Sequence, residues 1–230
     1  MIKNILLTGM PKSGKSTLLR KTIKEYSNKV GFVTNEVRLN SERVGFEMEA
    51  QNGVKIPLSN VNFKSDFKVS KYFVDVSSIG LIIPYVSKFN TDDLLYLDEI
   101  GEMQLFSEDF KELVVKFLDS SNTCIFTISK VFSDSFTELV KSRSDTILIE
   151  ISETNRDFEF ITGLISKIGK AKKYLLEPSR FSLVNDIITI RSEHGFREVN
   201  RTLWTCTCDF YSKYNICSHA IAAKEWIKLF

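Results

Sequence analysis

The sequence predicts an α/β protein with a parallel sheet flanked by helices, followed by a small α+β segment that is rich in cysteine. Short apolar runs alternate with helical patterns through most of the chain, which is typical of parallel strands joined by helices. A glycine-rich turn joins the first apolar run to the first helical pattern. Three of the four cysteines lie after residue 205, which indicates a separate small module there.

The strand predictions rest on apolar runs, and the helix predictions rest on a 3.6-residue period. Asn52-Gly53 lies between two of these runs and favours a tight hairpin turn, so residues 44–58 are predicted to form a β-hairpin inserted in the sheet. Strands are expected at Ile5–Thr8, Val30–Thr34, Gly45–Glu49, Lys55–Leu58, Leu94–Leu97, Cys124–Ile128 and Thr146–Ile151, and helices at residues 17–26, 111–119, 134–141 and 156–168.

Residues 167–173 are basic and contain a glycine, which predicts a boundary between a first domain, residues 1–169, and a second, residues 170–230. The first carries 21 Lys/Arg against 23 Asp/Glu, a net charge of −2, and the second carries 10 against 6, a net charge of +4. In the second domain, strands are expected at Ser182–Val184 and Asp186–Arg191, and a helix from about residue 220 to 229.

The composition is that of a globular chain, with 230 residues of which 43% are hydrophobic and 26% are charged. No apolar run is long enough to span a bilayer, so no membrane partner is expected. The first residues lead directly into the first predicted strand, which leaves no room for a signal peptide. We therefore expect a cytoplasmic protein with reduced thiols.

The turn after the first strand has the pattern G-x-x-x-x-G-K-[ST]. A strand before it and a helix after it make this pattern a phosphate-binding loop, because backbone N–H groups and the helix N-terminus then surround the phosphates. Lys15 is expected to reach the β- and γ-phosphates, and Ser16 to offer its hydroxyl to Mg²⁺. The alternative is an ordinary glycine-rich turn. The predicted phosphate-binding residues are Gly9, Met10, Pro11, Lys12, Ser13, Gly14, Lys15 and Ser16.

The apolar run Leu94–Leu97 ends in two carboxylates, Asp98 and Glu99, as in a Walker B motif. Asp98 is predicted to hold Mg²⁺ opposite the loop, and Glu99 to accept a proton from the water that attacks the γ-phosphate. The alternative is a strand that ends in solvated acids. Thr127 or Ser129 is a candidate γ-phosphate sensor or simply a polar strand end.

An arginine usually stabilises the transition state of phosphoryl transfer. The candidates are Arg38, Arg143 and Arg156, although a surface position or a structural ion pair is the favoured interpretation of each. No N-K-x-D motif is present, which argues against a signalling GTPase.

Several segments of the first domain resemble the THEP1-type nucleoside-triphosphatases, in the family's order, over about residues 1–168. The resemblance implies a RecA-like core and slow hydrolysis of nucleoside triphosphates, ATP and possibly GTP and others. It also implies that Gly9 to Thr17 bind phosphate, that Asp98 handles Mg²⁺ and that Glu99 activates water. The segments are Gly31–Arg38, Arg43–Phe46, Lys71–Asp75, Leu97–Met103 and Asn155–Asp157.

The cysteine-rich region has the spacing C-x-C, eight residues, C-x-H, formed by Cys206, Cys208, Cys217 and His219. Four sulfur and nitrogen ligands suit tetrahedral Zn²⁺, and a set with no open position indicates a structural ion. A module of about 60 residues needs such an ion for stability. The alternative is a group of buried reduced cysteines beside an unrelated histidine.

The same pattern resembles the SWIM zinc finger, over about residues 172–230. SWIM modules are associated with DNA or protein partners, so the resemblance implies recruitment of DNA, RNA or a protein. The local net charge of +4 and nearby aromatic residues are compatible with nucleic acid, although the charges equally suit a solvated face. The candidate phosphate-contacting residues are Lys170, Lys172, Lys173, Arg197, Arg201 and Lys213.

These observations favour a Mg²⁺-dependent nucleoside-triphosphatase joined to a zinc-stabilised recruitment module. One alternative is a nucleotide-gated adaptor with little turnover, whose zinc module binds a protein. A second alternative, phosphoryl transfer to a small acceptor, is disfavoured because the Asp98–Glu99 pair suits activation of water.

Overall fold

The computed structural model describes residues 1–229, which divide into two compact units. The larger unit comprises residues 3–156, and the smaller comprises residues 1–2 with the chain from residue 157 onward. The strands of the larger unit are β1 (Asn4–Thr8), β2 (Lys29–Leu39), β3 (Glu42–Ala50), β4 (Lys55–Asn60), β5 (Lys68–Val69), β6 (Tyr72–Val74), β7 (Leu94–Ile100), β8 (Thr123–Ile128) and β9 (Thr146–Glu150). Its helices are α1 (Lys15–Lys24), α2 (Val76–Val86), α3 (Glu108–Asp119) and α4 (Ser135–Ser142).

The strands of the larger unit form one nine-stranded sheet in the order β5-β6-β4-β3-β2-β7-β8-β1-β9. The segment β2-β7-β8-β1-β9 is parallel, which confirms the predicted α/β class. The strands β3 to β6 extend it in antiparallel fashion. The hairpin predicted within residues 44–58 is the β3–β4 pair, and Gly53 in its turn has a φ of 83°.

The core of this unit lies where the central strands meet the helices. Ile5, Leu6 and Leu7 of β1 are fully buried, as expected for a parallel strand covered on both faces. Phe110 and Phe117 of α3 are also fully buried in this core. The carboxyl ends of the parallel strands are thereby held at fixed positions on one edge of the sheet.

Two features of the larger unit differ from the sequence prediction. The strand β2 continues to Leu39 and pairs with β3 through a turn at Asn40 and Ser41, whose φ angles are 48° and 69°. The helix α2 was not predicted, because it is apolar on most sides and contains Pro84. Pro84 lies in its last turn, and the Asp75 side chain accepts hydrogen bonds from the Ser77 and Ser78 amides at its start.

The smaller unit begins with a long helix, and the predicted domain boundary at residues 169/170 falls inside it. The compact units divide at residues 156/157 instead. The physical reason is that the buried stripe of this helix continues through Ile168 to Ala171 and Tyr174. Gly169 lies inside this helix and does not interrupt it. The elements are α5 (Phe158–Leu175), β10 (Phe181–Val184), β11 (Ile187–Ser192), β12 (Gly195–Asn200), α6 (Asp209–Tyr214) and α7 (Ser218–Trp226).

The smaller unit has a modest core around an antiparallel sheet in the order β10-β11-β12. Ile188, Ile190 and Val199 of this sheet are fully buried. The Trp226 ring of α7 stacks on Phe181, with ring centroids 5.2 Å apart. Within residues 1–229, no helix has both the length and the hydrophobicity needed to cross a membrane.

Candidate nucleotide site and metal-ligand cluster

The glycine-rich loop runs from the end of β1 to the start of α1. Gly14 is the N-cap of α1 and has a φ of 95°, and a Cβ added there would lie 2.7 Å from Arg156 Nε. A side chain at this position is therefore disfavoured by the backbone conformation and would require the Arg156 side chain to shift. The Lys15 ammonium donates to the carbonyls of Gly9, at 2.9 Å, and Met10, at 3.2 Å. The loop thus folds back around the ammonium group at the N-terminus of a helix, where anions are favoured.

Asp98 lies at the end of β7, two strands away from β1. Its Oδ1 accepts a hydrogen bond from Ser16 Oγ at 2.7 Å and another from Thr127 Oγ1 at 2.7 Å. Thr127 is on β8, between the two strands that carry the loop and Asp98. The parallel order therefore brings the residues predicted for the magnesium site, Ser16 and Asp98, into direct contact.

The two carboxylate oxygens of Asp98 differ in their hydrogen-bond partners. Asp98 is only 1% exposed, and its Oδ2 has no hydrogen-bond partner among the described residues. Arg20 Nη2 lies 3.5 Å from this oxygen. Burial raises the pKa of Asp98, although hydrogen bonds from Thr127 and Ser16 oppose that rise. A buried oxygen without a hydrogen-bond donor, beside a serine hydroxyl, fits the oxygen ligands that Mg²⁺ requires.

Glu99 follows directly and is partly buried. Burial raises the pKa of its carboxyl, and the neighbouring Asp98 charge raises it further, whereas Lys15 lowers it. A raised pKa makes a carboxylate a better proton acceptor near neutral pH. The environment of Glu99 is therefore suited to the role predicted for it.

Thr127 and Ser129, the two sensor candidates, have different surroundings. Thr127 is fully buried and donates to Asp98, whereas the Ser129 hydroxyl accepts a hydrogen bond from the Phe132 amide at 3.0 Å. Thr127 is thus part of the site, and Ser129 stabilises the turn after β8.

Of the three arginine candidates, only Arg156 lies at the loop, where its Nε donates to the Ser13 carbonyl at 2.8 Å. Arg38 pairs with Glu36 at 2.5 Å. Arg143 pairs with Asp145 at 2.9 Å. Arg38 and Arg143 are therefore engaged in ion pairs away from the loop.

Three residues of the site are not among those predicted from the sequence: Arg20, Thr34 and Gln104. Arg20 Nη2 donates to the Thr34 carbonyl at 2.6 Å, and Gln104 Nε2 donates to Thr34 Oγ1 at 3.2 Å. Arg20 had a detectable signal, because it follows Ser16 by four residues and so lies on the same helix face. Thr34 and Gln104 had no such signal in the sequence. They meet only in the folded chain, where the extension of β2 and the turn after β7 bring them together.

The four cysteine and histidine side chains of the smaller unit come together in one cluster. The possible ligand atoms of Cys206, Cys208, Cys217 and His219 all lie within 4.8 Å of one another. His219 Nδ1 is 3.7 Å from Cys206 Sγ and 3.9 Å from Cys217 Sγ. These separations are close to those of ligands around a tetrahedral Zn²⁺ ion with Zn–S bonds of about 2.3 Å.

The structure around the cluster fixes both pairs of ligands. Cys206 pairs with Val199 of β12, and Cys217 is the N-cap of α7, where its sulfur accepts a hydrogen bond from the Ala220 amide at 3.3 Å. The Tyr174 ring of α5 stacks on His219, with the ring planes 13° apart. The ligands are thus held by a strand and two helices of the same unit.

Two thiols of the cluster influence each other's pKa. A hydrogen bond with the Cys217 thiol lowers the pKa of Cys206 to about 4, and the same interaction raises the pKa of Cys217. The lowered pKa of Cys206 favours its thiolate, which is the form of cysteine that binds a metal ion.

The six cations predicted to contact nucleic acid do not form one patch. Lys170, Arg197 and Lys213 line a cavity of about 500 Å³ beside the cluster, together with Lys167 and His194. Arg201 does not line it and instead pairs with Asp186 at 2.8 Å. The other two candidates, Lys172 and Lys173, lie on α5 outside the cavity lining.

The cavity is mixed in chemical character. Phe210 and Tyr214 contribute aromatic surface to it, and Glu159 and Asp209 contribute carboxylates. Lys170 also pairs with Glu193 at 3.2 Å. The lining therefore combines cationic and aromatic groups with a smaller number of acids.

Comparisons with known proteins follow the same division of the chain. A family model described as NTPase matches residues 4–163, and a model described as SWIM zinc finger matches residues 198–225. Nucleoside-triphosphatase THEP1 of Thermotoga maritima is 38% identical over 156 residues, which is 66% of this chain and 88% of that protein. The human cancer-related nucleoside-triphosphatase is 30% identical over 191 residues, which is 75% of this chain and 100% of that protein.

A solved structure shows the same likeness. The crystal structure of THEP1 from Aquifex aeolicus superimposes with a TM-score of 0.65 and 30% identity, covering 70% of this chain and 98% of that one. The family-model match includes the glycine-rich loop and the strand β7 that carries Asp98, since both lie within residues 4–163. The chain belongs to the THEP1 family of nucleoside-triphosphatases and carries a SWIM zinc finger after that domain.

Proposed function

We propose that the larger unit hydrolyses nucleoside triphosphates, ATP among them, in a reaction that depends on Mg²⁺. The observation that carries this proposal is the contact of Ser16 on the phosphate-binding loop with Asp98 at the end of β7, at 2.7 Å. In this family the relatives are named nucleoside-triphosphatases. A serine hydroxyl and a buried carboxylate are the protein ligands through which such sites hold Mg²⁺ against the phosphates.

The proposed roles follow from the chemistry of each group. The backbone of residues 9–17 and the Lys15 ammonium bind the phosphates, and Ser16 and Asp98 hold Mg²⁺, which neutralises charge on the β- and γ-phosphates when bound. Glu99 takes a proton from a water molecule while the oxygen of that water bonds to the γ-phosphorus. The bond from that phosphorus to the bridging oxygen breaks, and the nucleoside diphosphate leaves with the electron pair.

Glu99→Gln tests the assignment. We expect phosphate release to fall by about 100-fold or more, because a general base contributes roughly that factor, while ATP still binds. Glu102→Gln is the matched control, since it makes the same chemical change three residues further along the chain and is expected to leave the rate unchanged.

Three results would count against parts of this account. Hydrolysis at the wild-type rate by Glu99→Gln would remove Glu99 from the mechanism. Tight nucleotide binding by the wild-type protein without phosphate release would favour the nucleotide-gated adaptor. Transfer of phosphate to an added small acceptor instead of water would favour a kinase.

We also propose that Cys206, Cys208, Cys217 and His219 bind one Zn²⁺ ion. The support is a complete set of four soft ligands within 4.8 Å of one another. The set leaves no open position for water or substrate, so the ion would link β12 to α7 and supply stability rather than catalysis.

The smaller unit is further proposed to recruit a partner to the enzyme, and the lining of its cavity favours nucleic acid over protein. Arg197 and Lys167 have no ion pair among those found in residues 1–229, and Lys167 lies 4.9 Å from the centroid of the Phe210 ring. Cations beside aromatic rings are the groups through which proteins hold phosphate backbones and bases. Recruitment of a protein is the remaining alternative.

Fluorescence anisotropy with labelled DNA and RNA oligonucleotides at two salt concentrations tests this step. We expect binding that weakens as salt rises, because phosphate contacts release counterions. Arg197→Gln is expected to reduce the salt dependence by about one phosphate contact, whereas Arg201→Gln, outside the cavity, is not. Failure to bind any oligonucleotide at low salt would favour a protein partner and would leave the hydrolysis proposal intact.

A further inference from the structure

Gln104 is a buried polar residue beside the nucleotide site that the roles above do not use. It begins a short 3₁₀ turn after β7 and is only 4% exposed. Burying an amide is unfavourable unless both of its ends find partners. The contacts of each end of this amide therefore indicate what the side chain does.

The nitrogen end of the amide is fixed by Thr34. Gln104 Nε2 donates to Thr34 Oγ1 at 3.2 Å, and the Thr34 hydroxyl donates its own hydrogen to the Asp98 backbone carbonyl. A hydroxyl has a single hydrogen, so Thr34 can only accept from Gln104. The amide nitrogen must then face Thr34, and the carbonyl oxygen must face the opposite way.

The oxygen end of the amide faces the same small space as the Glu99 carboxylate. A Cβ added to Gly101 would lie 3.1 Å from Glu99 Oε1 and 3.3 Å from Gln104 Oε1. It would also lie 2.9 Å from Glu99 Cγ, closer than a real Cβ can approach. Gly101 has no left-handed backbone, so a side chain at this position is disfavoured by the neighbouring side chains and not by backbone conformation. Both acceptor oxygens therefore lie within 3.3 Å of one point next to the Gly101 backbone, which brings them close to one another.

We propose that Gln104 Oε1 is the second acceptor for the water that Glu99 activates, an inference that rests on the proposed hydrolysis. A water molecule has two hydrogens, and two acceptors fix its orientation. Glu99 receives one of these hydrogens as a proton during attack, whereas the neutral amide accepts a hydrogen bond from the other and takes no proton. A lone pair of the water is then directed away from both residues and toward the γ-phosphorus. The hydrogen bond with Thr34 prevents the Gln104 amide from flipping.

Gln104→Leu tests the proposal, because leucine keeps a similar shape and removes both polar ends. We expect kcat to fall by about ten-fold, the effect of one lost hydrogen bond, with the ATP dissociation constant changed by less than about two-fold. Thermal unfolding should stay near that of the wild type. A purely structural residue would instead lower nucleotide affinity and the melting temperature together.

Thr34 provides a second, independent pair of variants. Thr34→Val removes the hydroxyl that orients the amide and is expected to lower kcat in the same way, whereas Thr34→Ser keeps the hydroxyl and should restore it. This pair decides the question if Gln104→Leu does not fold.

The outcomes separate this inference from the proposed function. Wild-type turnover that is lost in Glu99→Gln but unchanged in Gln104→Leu would overturn the role of Gln104 alone. Equal kcat values for Thr34→Val and Thr34→Ser would also overturn it. Absence of turnover in the wild-type protein would overturn both the inference and the proposed hydrolysis.

Discussion

The two units stabilise their functional residues in different ways. In the larger unit, Asp98 and Thr127 extend from neighbouring strands of a sheet whose core includes fully buried Phe117 and Phe126. In the smaller unit, four ligand side chains converge beside a three-stranded sheet with few buried residues. The comparison leads us to expect that sheet packing preforms the nucleotide site, and that the proposed zinc ion stabilises the surroundings of the cysteine–histidine cluster.

Removal of zinc is expected to have the largest effect, and only on the smaller unit. Apparent zinc-binding free energies in zinc-finger peptides are about 10–16 kcal/mol, which equals or exceeds the whole stability of a small domain. Both tryptophans, Trp204 and Trp226, lie in this unit, so their fluorescence reports on it alone. We expect a zinc chelator to shift the tryptophan emission to that of exposed indole while phosphate release continues.

A pair of cysteine variants sharpens the same prediction. Cys217→Ser removes a ligand and should reproduce the fluorescence change without chelator. Cys124→Ser alters the buried cysteine of the larger unit and should leave the tryptophan signal unchanged. Native-like fluorescence after complete chelation would show that the smaller unit does not need the ion.

Removal of the Phe117 ring from the core is expected to destabilise the larger unit and to leave the smaller unit unaffected. Phe117 is fully buried and meets Phe89 edge to face, with ring centroids 5.4 Å apart. Phe117→Ala should therefore cost about 3–5 kcal/mol of the unfolding free energy of the larger unit, through lost burial and the cavity left behind. Urea unfolding followed by far-UV circular dichroism measures that loss, and tryptophan emission at low urea should stay native. A simultaneous loss of native emission would mean that the two units unfold together.

The smallest effects come from one substitution made in each unit. Gly14→Ala places a Cβ at a φ of 95° and against Arg156, so it should destabilise the larger unit by about 1–2 kcal/mol and weaken ATP binding. Gly169→Ala lies inside α5 with open space around it, so it should stabilise the smaller unit by about 0.5–1 kcal/mol. Denaturant unfolding of both variants measures whether the unfolding free energy falls in Gly14→Ala and rises in Gly169→Ala. A change of the unfolding free energy in the same direction in both variants would contradict the conformations of these glycines.

The sequence was sufficient to predict the parallel strands and the motifs, because these depend on local patterns. The glycine-rich loop between β1 and α1, the acids after Leu97 and the turn at Asn52-Gly53 each carry their own signal. The THEP1 and SWIM resemblances, each resting on such motifs, are confirmed by the family comparisons.

The remaining features depend on tertiary contacts. The helix α2 lacks a polar face and contains Pro84, so its periodicity is hidden. The helix α5 continues beyond the predicted boundary because Ala171 and Tyr174 are buried by their own unit. Gln104 approaches Glu99 only through the turn after β7, which no spacing rule describes. Local sequence thus predicted the parallel strands and the motifs, and long-range packing determined the remaining elements, the boundary and the surroundings of the site.

The central claim is that Ser16 and Asp98 support Mg²⁺-dependent hydrolysis, and the Mg²⁺ dependence of phosphate release from ATP tests it most directly. The measurement compares the wild-type protein with Asp98→Asn over a range of Mg²⁺ concentrations. The account predicts that wild-type release requires Mg²⁺ and saturates with it, and that Asp98→Asn loses most of this response. Equal release by both proteins, or wild-type release that is unchanged without Mg²⁺, would contradict the account.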